Sequence, residues 1–173
     1  MRTPHTRGRS TVTKTPVFGM MERGCWVNSH GEMEPMTYVH AFVVPNTNKA
    51  TLGTYIEQFV EKGALVISDE LNAYNGLEKL GYSHSIVNHG AEEYANGGIF
   101  TNSIEGFWSH FRRMISGCYH DVSDEHLQLY IDEAVYRWNT RKASQSERFA
   151  DMFAKSIGLV RRWSEIGVGL MAA

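Results

Sequence analysis

Thr101-Asn-Ser-Ile-Glu-Gly-Phe-Trp-Ser-His-Phe-Arg-Arg-Met-Ile-Ser116 is the stretch on which the reading of this 173-residue chain turns. At about 100° per residue, Ile104, Phe107, Trp108, Phe111, Met114 and Ile115 share one half of a helix, the apolar stripe that a core needs. Asn102, Glu105, Ser109, Arg112 and Ser116 gather on the other side, centred near Glu105. A carboxylate, an amide, two hydroxyls and a guanidinium on one stripe suit metal and phosphate, yet any solvated helix face can carry them. The choice depends on what stands upstream, at Asp69.

Working outward, residues 64–68 (ALVIS) read as a compact buried strand parallel to a neighbour, with Asp69 directly at its C-terminal end. Residues 72–80 read as a short helix closed by Gly81, residues 82–87 as another strand, and residues 88–100 as a glycine-containing loop. Pro45-Asn-Thr-Asn signals a turn and N-cap before a helix bearing Leu52, Tyr55, Ile56, Phe59 and Val60, stopped at Gly63. Three extended pieces precede it: residues 15–22, a second around 25–29 after a turn at Arg23-Gly24, and residues 36–44. Their short connections predict an antiparallel meander.

Downstream, Gly117 is expected to end the opening helix. Ser123 caps the next one, whose stripe is Leu127, Tyr130, Ile131, Ala134, Val135 and Trp138. Ser144 with Glu147 forms a capping box for a helix to about Ser156. Strands, then strand-helix-strand, then helices predict an α/β fold with a mixed sheet and flanking helices. Residues 1–13 read as a basic irregular leader and residues 143–173 as a helical tail.

Composition excludes several classes. No apolar run approaches the length of a membrane span, and no apolar h-region follows the N-terminal arginines, so a cytoplasmic protein without membrane partners is expected. Cys25 and Cys118 lack metal-ligand spacing and read as reduced thiols. His84, His89, His110, His120 and His126 form no HExxH-type pattern. The net charge of −2 weighs against a dedicated nucleic-acid binder, although Arg2, Arg7, Arg9 and Lys14 stand in a segment without acids.

In an open α/β sheet, functional side chains collect at the carboxyl ends of strands, which is where Asp69 falls. Glu105 follows 36 positions later on the polar stripe. Two such carboxylates can hold a divalent cation, and oxygen ligands suit Mg²⁺ or Mn²⁺ rather than zinc. Paired ions of that kind can stabilise both the attacking and the leaving oxygen of a phosphodiester displacement. Arg112, two turns beyond Glu105, can contact a DNA phosphate.

The run T-N-S-I-E-G-F-W-S closely resembles the signature of bacterial insertion-sequence transposases of the DDE class, in the group related to Merlin elements. K-T-P-V-F-G-M-M-E-R-G at 14–24, S-D-E-L-N-A-Y at 68–74, V-N-H at 87–89, G-C-Y-H-D-V-S at 117–123 and R-W-N-T-R at 137–141 extend the resemblance over roughly residues 14–142. It implies an RNase H-like fold and metal-dependent DNA strand cleavage and transfer. Asp69 matches the second catalytic Asp of that family. Glu105 and Asn102 are both candidates for the third position, Glu105 being favoured because a carboxylate binds Mg²⁺ better than an amide.

The chain departs from the family pattern in having no Asp before Asp69. The expectation is a transposase lacking its first catalytic strand, with little or no activity alone. Its partners would be DNA at transposon ends and another transposase copy. The alternative is a non-catalytic remnant that binds DNA or protein.

Overall fold

The structure, a computed structural model, describes residues 14–87 and 102–157. The chain divides into two compact units, residues 1–139 and 140–173. The first is mixed α/β, and its centre is a hairpin: β1 (Val17–Val27) pairs antiparallel with β2 (Met33–Val43), from Val17 opposite Val43 to Val27 opposite Met33.

This corrects the predicted three-piece meander. Arg23 and Gly24 stay within β1, opposite Thr37 and Met36. The reversal falls at residues 28–32, where Asn28 Oδ1 accepts from the amides of His30 and Glu32, both at 2.9 Å, and Gly31 adopts φ 79°. An Asn side chain that hydrogen-bonds the following backbone, together with a left-handed glycine, makes a stronger turn than Arg-Gly. Gly24 serves the strand instead: a Cβ there would sit 3.1 Å from the Tyr38 ring.

Successive side chains of a strand point to opposite faces, so the hairpin has two cores. On one face Phe18 and Val44, with Met20 and Phe42, pack on Leu52 and Ile56 of α1 (Lys49–Phe59). Asn48 caps that helix as predicted, its side chain accepting from the Thr51 amide at 2.9 Å. On the other face Val39 and Ala41, with Val17, Met21 and Val43, pack on Phe107 and Met114 of α2 (Asn102–Met114) and on Ile131 and Ala134 of α3 (Leu127–Asn139).

Among the described residues the outer edge of β2 carries no strand partner; α3 engages it with two side-chain amides. Asn139 Oδ1 accepts from the Val39 amide at 2.7 Å while its Nδ2 donates to the Val39 carbonyl at 2.9 Å. Gln128 does the same across two residues, accepting from the Val43 amide at 2.7 Å and donating to the Ala41 carbonyl at 3.2 Å. Backbone groups at a buried edge need partners, and here helix side chains supply them.

β3 (Leu65–Ser68) and β4 (Ser83–Ile86) form a separate parallel pair, so the described residues hold two small sheets and not one mixed sheet. Parallel pairing of the 64–68 strand is as predicted. Its full burial is not: Leu65 is exposed, Ser68 is buried, and Val66 packs against the α1-side core. A strand with one partner and one packed face cannot bury both sides. The helix expected at 72–80 is two 3₁₀ turns, Asn72–Tyr74 and Leu77–Leu80, separated by Gly76 at φ 89°.

α2 ends at Met114 and continues through a π-helical turn, Ile115–Tyr119, closed by the His120 amide on the Ile115 carbonyl at 2.8 Å. The helix therefore does not stop at Gly117. His120 takes φ 61°, ψ −46°, and the Asp121 amide reaches back to the Tyr119 carbonyl at 2.7 Å, a γ-turn of the rare positive-φ kind. Ser123 precedes a 3₁₀ turn leading into α3, but its hydroxyl bonds His126 Nδ1 at 2.8 Å instead of a helix amide.

In the second unit, α4 (Gln145–Ser156) begins at the predicted capping box, with Ser144 and Glu147 bonded reciprocally. Those bonds hold the Glu147 carboxyl below its ordinary range. No helix among the described residues is long and apolar enough to cross a membrane. The basic leader at 1–13, the loop at 88–100 with His89, and the tail beyond Ile157 lie outside the described residues.

Candidate active site

β3 delivers Asp69 to its C-terminal end, as the pattern of residues 64–68 predicts. The carboxylate is half-buried, and its Oδ1 accepts from the Leu71 amide at 3.1 Å. Among the described residues no hydrogen bond or ion pair engages its Oδ2. Burial, and secondarily the negative charge of Asp69, push the Tyr74 phenol up to about 12. Tyr74 therefore stays protonated beside the carboxylate at any physiological pH.

Behind Asp69 lies a polar group that the sequence pattern does not single out. Ser68 Oγ donates to the Asp69 carbonyl at 2.9 Å and lies 2.8 Å from His84 Nε2. The His84 side chain is 2% exposed, and its Nδ1 is 3.5 Å from Glu78 Oε1. Tyr74 stands in the S-D-E-L-N-A-Y run, so its nearness to Asp69 had a local signal. Ser68 and His84 had none, because the register that pairs Val66 with His84 and Ser68 with Ile86 is a tertiary fact.

The α2 stripe divides as predicted. Ile104, Phe107, Trp108, Phe111, Met114 and Ile115 all belong to the core on that side of the hairpin, with Phe107 fully buried. Glu105, Ser109, Arg112 and Ser116 are all exposed. Glu105 stands in the first turn, where the helix dipole favours a carboxylate, and Arg112 in the last. Seven residues at about 1.5 Å each set the two roughly 10 Å apart along the axis.

Asn102 opens the helix. The position of α2 is fixed by contact with the hairpin: a Cβ on Gly19 would lie 2.4 Å from the Trp108 ring, so only glycine admits this approach.

Asp69 and Glu105 thus belong to opposite sides of the hairpin. The segment after Asp69 packs, through Leu71 and Tyr74, with the α1-side core, whereas α2 packs with the other. No group of three or more His, Cys, Asp or Glu side chains able to hold a metal occurs among the described residues. Mg²⁺ keeps several waters and is held by one or two carboxylates, and of the predicted pair only Asp69 stands on its side of the hairpin. The half-buried, unpartnered Oδ2 of Asp69 is a hard oxygen donor of the required kind.

A family model described as the ISXO2-like transposase domain matches residues 2–139. An uncharacterized transposase-like protein of Haemophilus influenzae is 32% identical over 101 residues, which cover 58% of this chain and 80% of that protein. No solved structure matches the chain at a significant level.

Proposed function

The chain belongs to the ISXO2-like transposase family, and from that membership we propose that it carries a catalytic domain for metal-dependent DNA strand cleavage and transfer, on an RNase H-like plan. The observation that carries this reading is Asp69 at the carboxyl end of β3 with Oδ2 left unengaged. Asp69 would be one ligand of Mg²⁺ or Mn²⁺; Glu105, or Asn102 in its place, would be the further ligand that family membership suggests, carried by a helix that packs on the other face of the hairpin. The bound ion supplies Lewis-acid stabilisation of charge on the phosphodiester oxygens.

The protein groups do the positioning. Leu71 N–H holds one oxygen of Asp69, which leaves the other directed by the turn that follows β3. Arg112 on the exposed stripe contacts a DNA phosphate, as a guanidinium suits. The partners are transposon-end DNA and a second transposase copy.

Cleavage and strand transfer of a DNA fragment carrying the element's ends, with Mg²⁺ or Mn²⁺, tests the proposal. Asp69→Asn should lower the rate at least about 100-fold, the scale on which an electrostatic catalytic group acts. Glu105→Gln should do likewise if Glu105 is the third position, and Asn102→Ala if that position is Asn102. Cleavage at the parent rate by Asp69→Asn would refute the catalytic assignment.

A second reading, a non-catalytic transposase module that binds DNA or protein, is favoured by one observation: the elements that carry Asp69 and Glu105 pack on opposite faces of the hairpin. DNA binding without cleavage, unaffected by Asp69→Asn, would select it.

A further inference from the structure

Ser68 and His84 are buried polar groups for which the catalytic reading has no use. Ser68 is 6% exposed and His84 2% exposed at the side chain. A carbonyl oxygen can only accept, so the Ser68 hydroxyl proton goes to the Asp69 carbonyl. It follows that His84 Nε2 carries a hydrogen and donates to Ser68 Oγ. The line runs from the ring on β4, through the hydroxyl on β3, to the peptide that joins Asp69 to Glu70.

This arrangement does not suit a nucleophilic serine, which needs an exposed Oγ and a ring nitrogen free to take its proton. It suits a brace. The peptide after Asp69 is where β3 ends and the Asx turn to Leu71 begins. Holding its carbonyl fixes the plane from which the Asp69 side chain and the Leu71 amide both project. Outer groups that orient a ligand are worth as much as 10–100-fold in metal affinity.

We propose that His84 is a positioning residue: through Ser68 it fixes the Asp69 peptide and so aims the carboxylate that the preceding subsection assigns to the metal. The inference rests on that reading for its consequence, whereas the brace itself is independent of any ion.

Amide hydrogen exchange of the full chain, with and without Mn²⁺, provides the test, with the Leu71 amide as reporter of the bond to Asp69 Oδ1. His84→Ala should speed exchange at Leu71 about tenfold while the Val39 amide, on the other side of the hairpin, keeps its protection. His84→Gln, which retains a donor near the Nε2 position, should restore the slow rate. Ser68→Ala, which removes a single oxygen, should match His84→Ala.

Mn²⁺ titration should then show about tenfold weaker binding in His84→Ala and in Ser68→Ala, recovered in His84→Gln. Unchanged Leu71 exchange in His84→Ala and Ser68→Ala would overturn the proposal, as would equal loss in His84→Gln and His84→Ala. Mn²⁺ binding unmoved by Asp69→Asn would sink the metal reading instead, and the Leu71 rates would still decide for or against His84.

Discussion

On one face of the β1–β2 hairpin the packing comes from chain that follows at once: β2 leads through Asn48 into α1, and Leu52 and Ile56 cover Phe18 and Val44. On the other face it comes from α2 and α3, and the bonds that dock α3 join residues 100 positions apart, as between Val39 and Asn139. The near face is held by apolar packing that short-range signals announce. The far face adds directional polar bonds and a close backbone approach at Gly19. Distant elements pay more loop-closure entropy before their contacts form, and specific bonds give the reward that settles which helix docks where.

The comparison can be broken most directly by emptying each core in turn. Phe107→Ala should cost about 3–5 kcal/mol and Leu52→Ala about 2–5 kcal/mol, both being fully buried. If the hairpin couples the two faces, each variant lowers the midpoint of one shared urea transition. Two separate transitions in Phe107→Ala, with α1 still folded, would show the faces to be independent units.

A somewhat smaller effect tests the directional bonds. Asn139→Ala strands both the N–H and the C=O of Val39, which is itself fully buried, and should cost about 2–4 kcal/mol. Native-state exchange at the Val39 amide should accelerate accordingly. An unchanged rate would mean that packing alone docks α3.

The smallest effect belongs to the near face and appears only in alkali. The Tyr74 phenol titrates near 12 in the folded chain against an ordinary value of about 10. Below the ordinary value both states hold the proton and stability is full. Between the two values the unfolded chain releases it while the folded chain keeps it, so stability falls as pH rises, by up to about 2 kcal/mol. Urea midpoints measured from pH 9 to 11.5 should fall in the parent and fall less steeply in Tyr74→Phe.

What was legible in the sequence follows the same division. The Asn48 cap, the Ser144–Glu147 capping box, the strand that ends at Asp69 and the two-sided division of α2 all rest on patterns within a turn or two of chain, and the structure has each of them. The turn at residues 28–32 was misplaced because Arg23-Gly24 carries the same punctuation; only Tyr38, arriving from β2, explains Gly24. The π-helical turn and the positive φ of His120 were invisible, since Gly117 is the better local stop signal. For the candidate site, Asp69 and Glu105 could be chosen by residue type and position. The Ser68–His84 contact required the parallel register of β3 and β4.

The amides of Gln128 and Asn139 also decide how a sheet built on this hairpin can grow. An open strand edge is a template for any extended chain, from the same protein or another. Along β2 the N–H and C=O of Val39, the C=O of Ala41 and the N–H of Val43 are taken by α3, which blocks recruitment over that stretch. A strand arriving there would find those groups taken, a built-in guard against pairing through the Val39–Val43 stretch of β2.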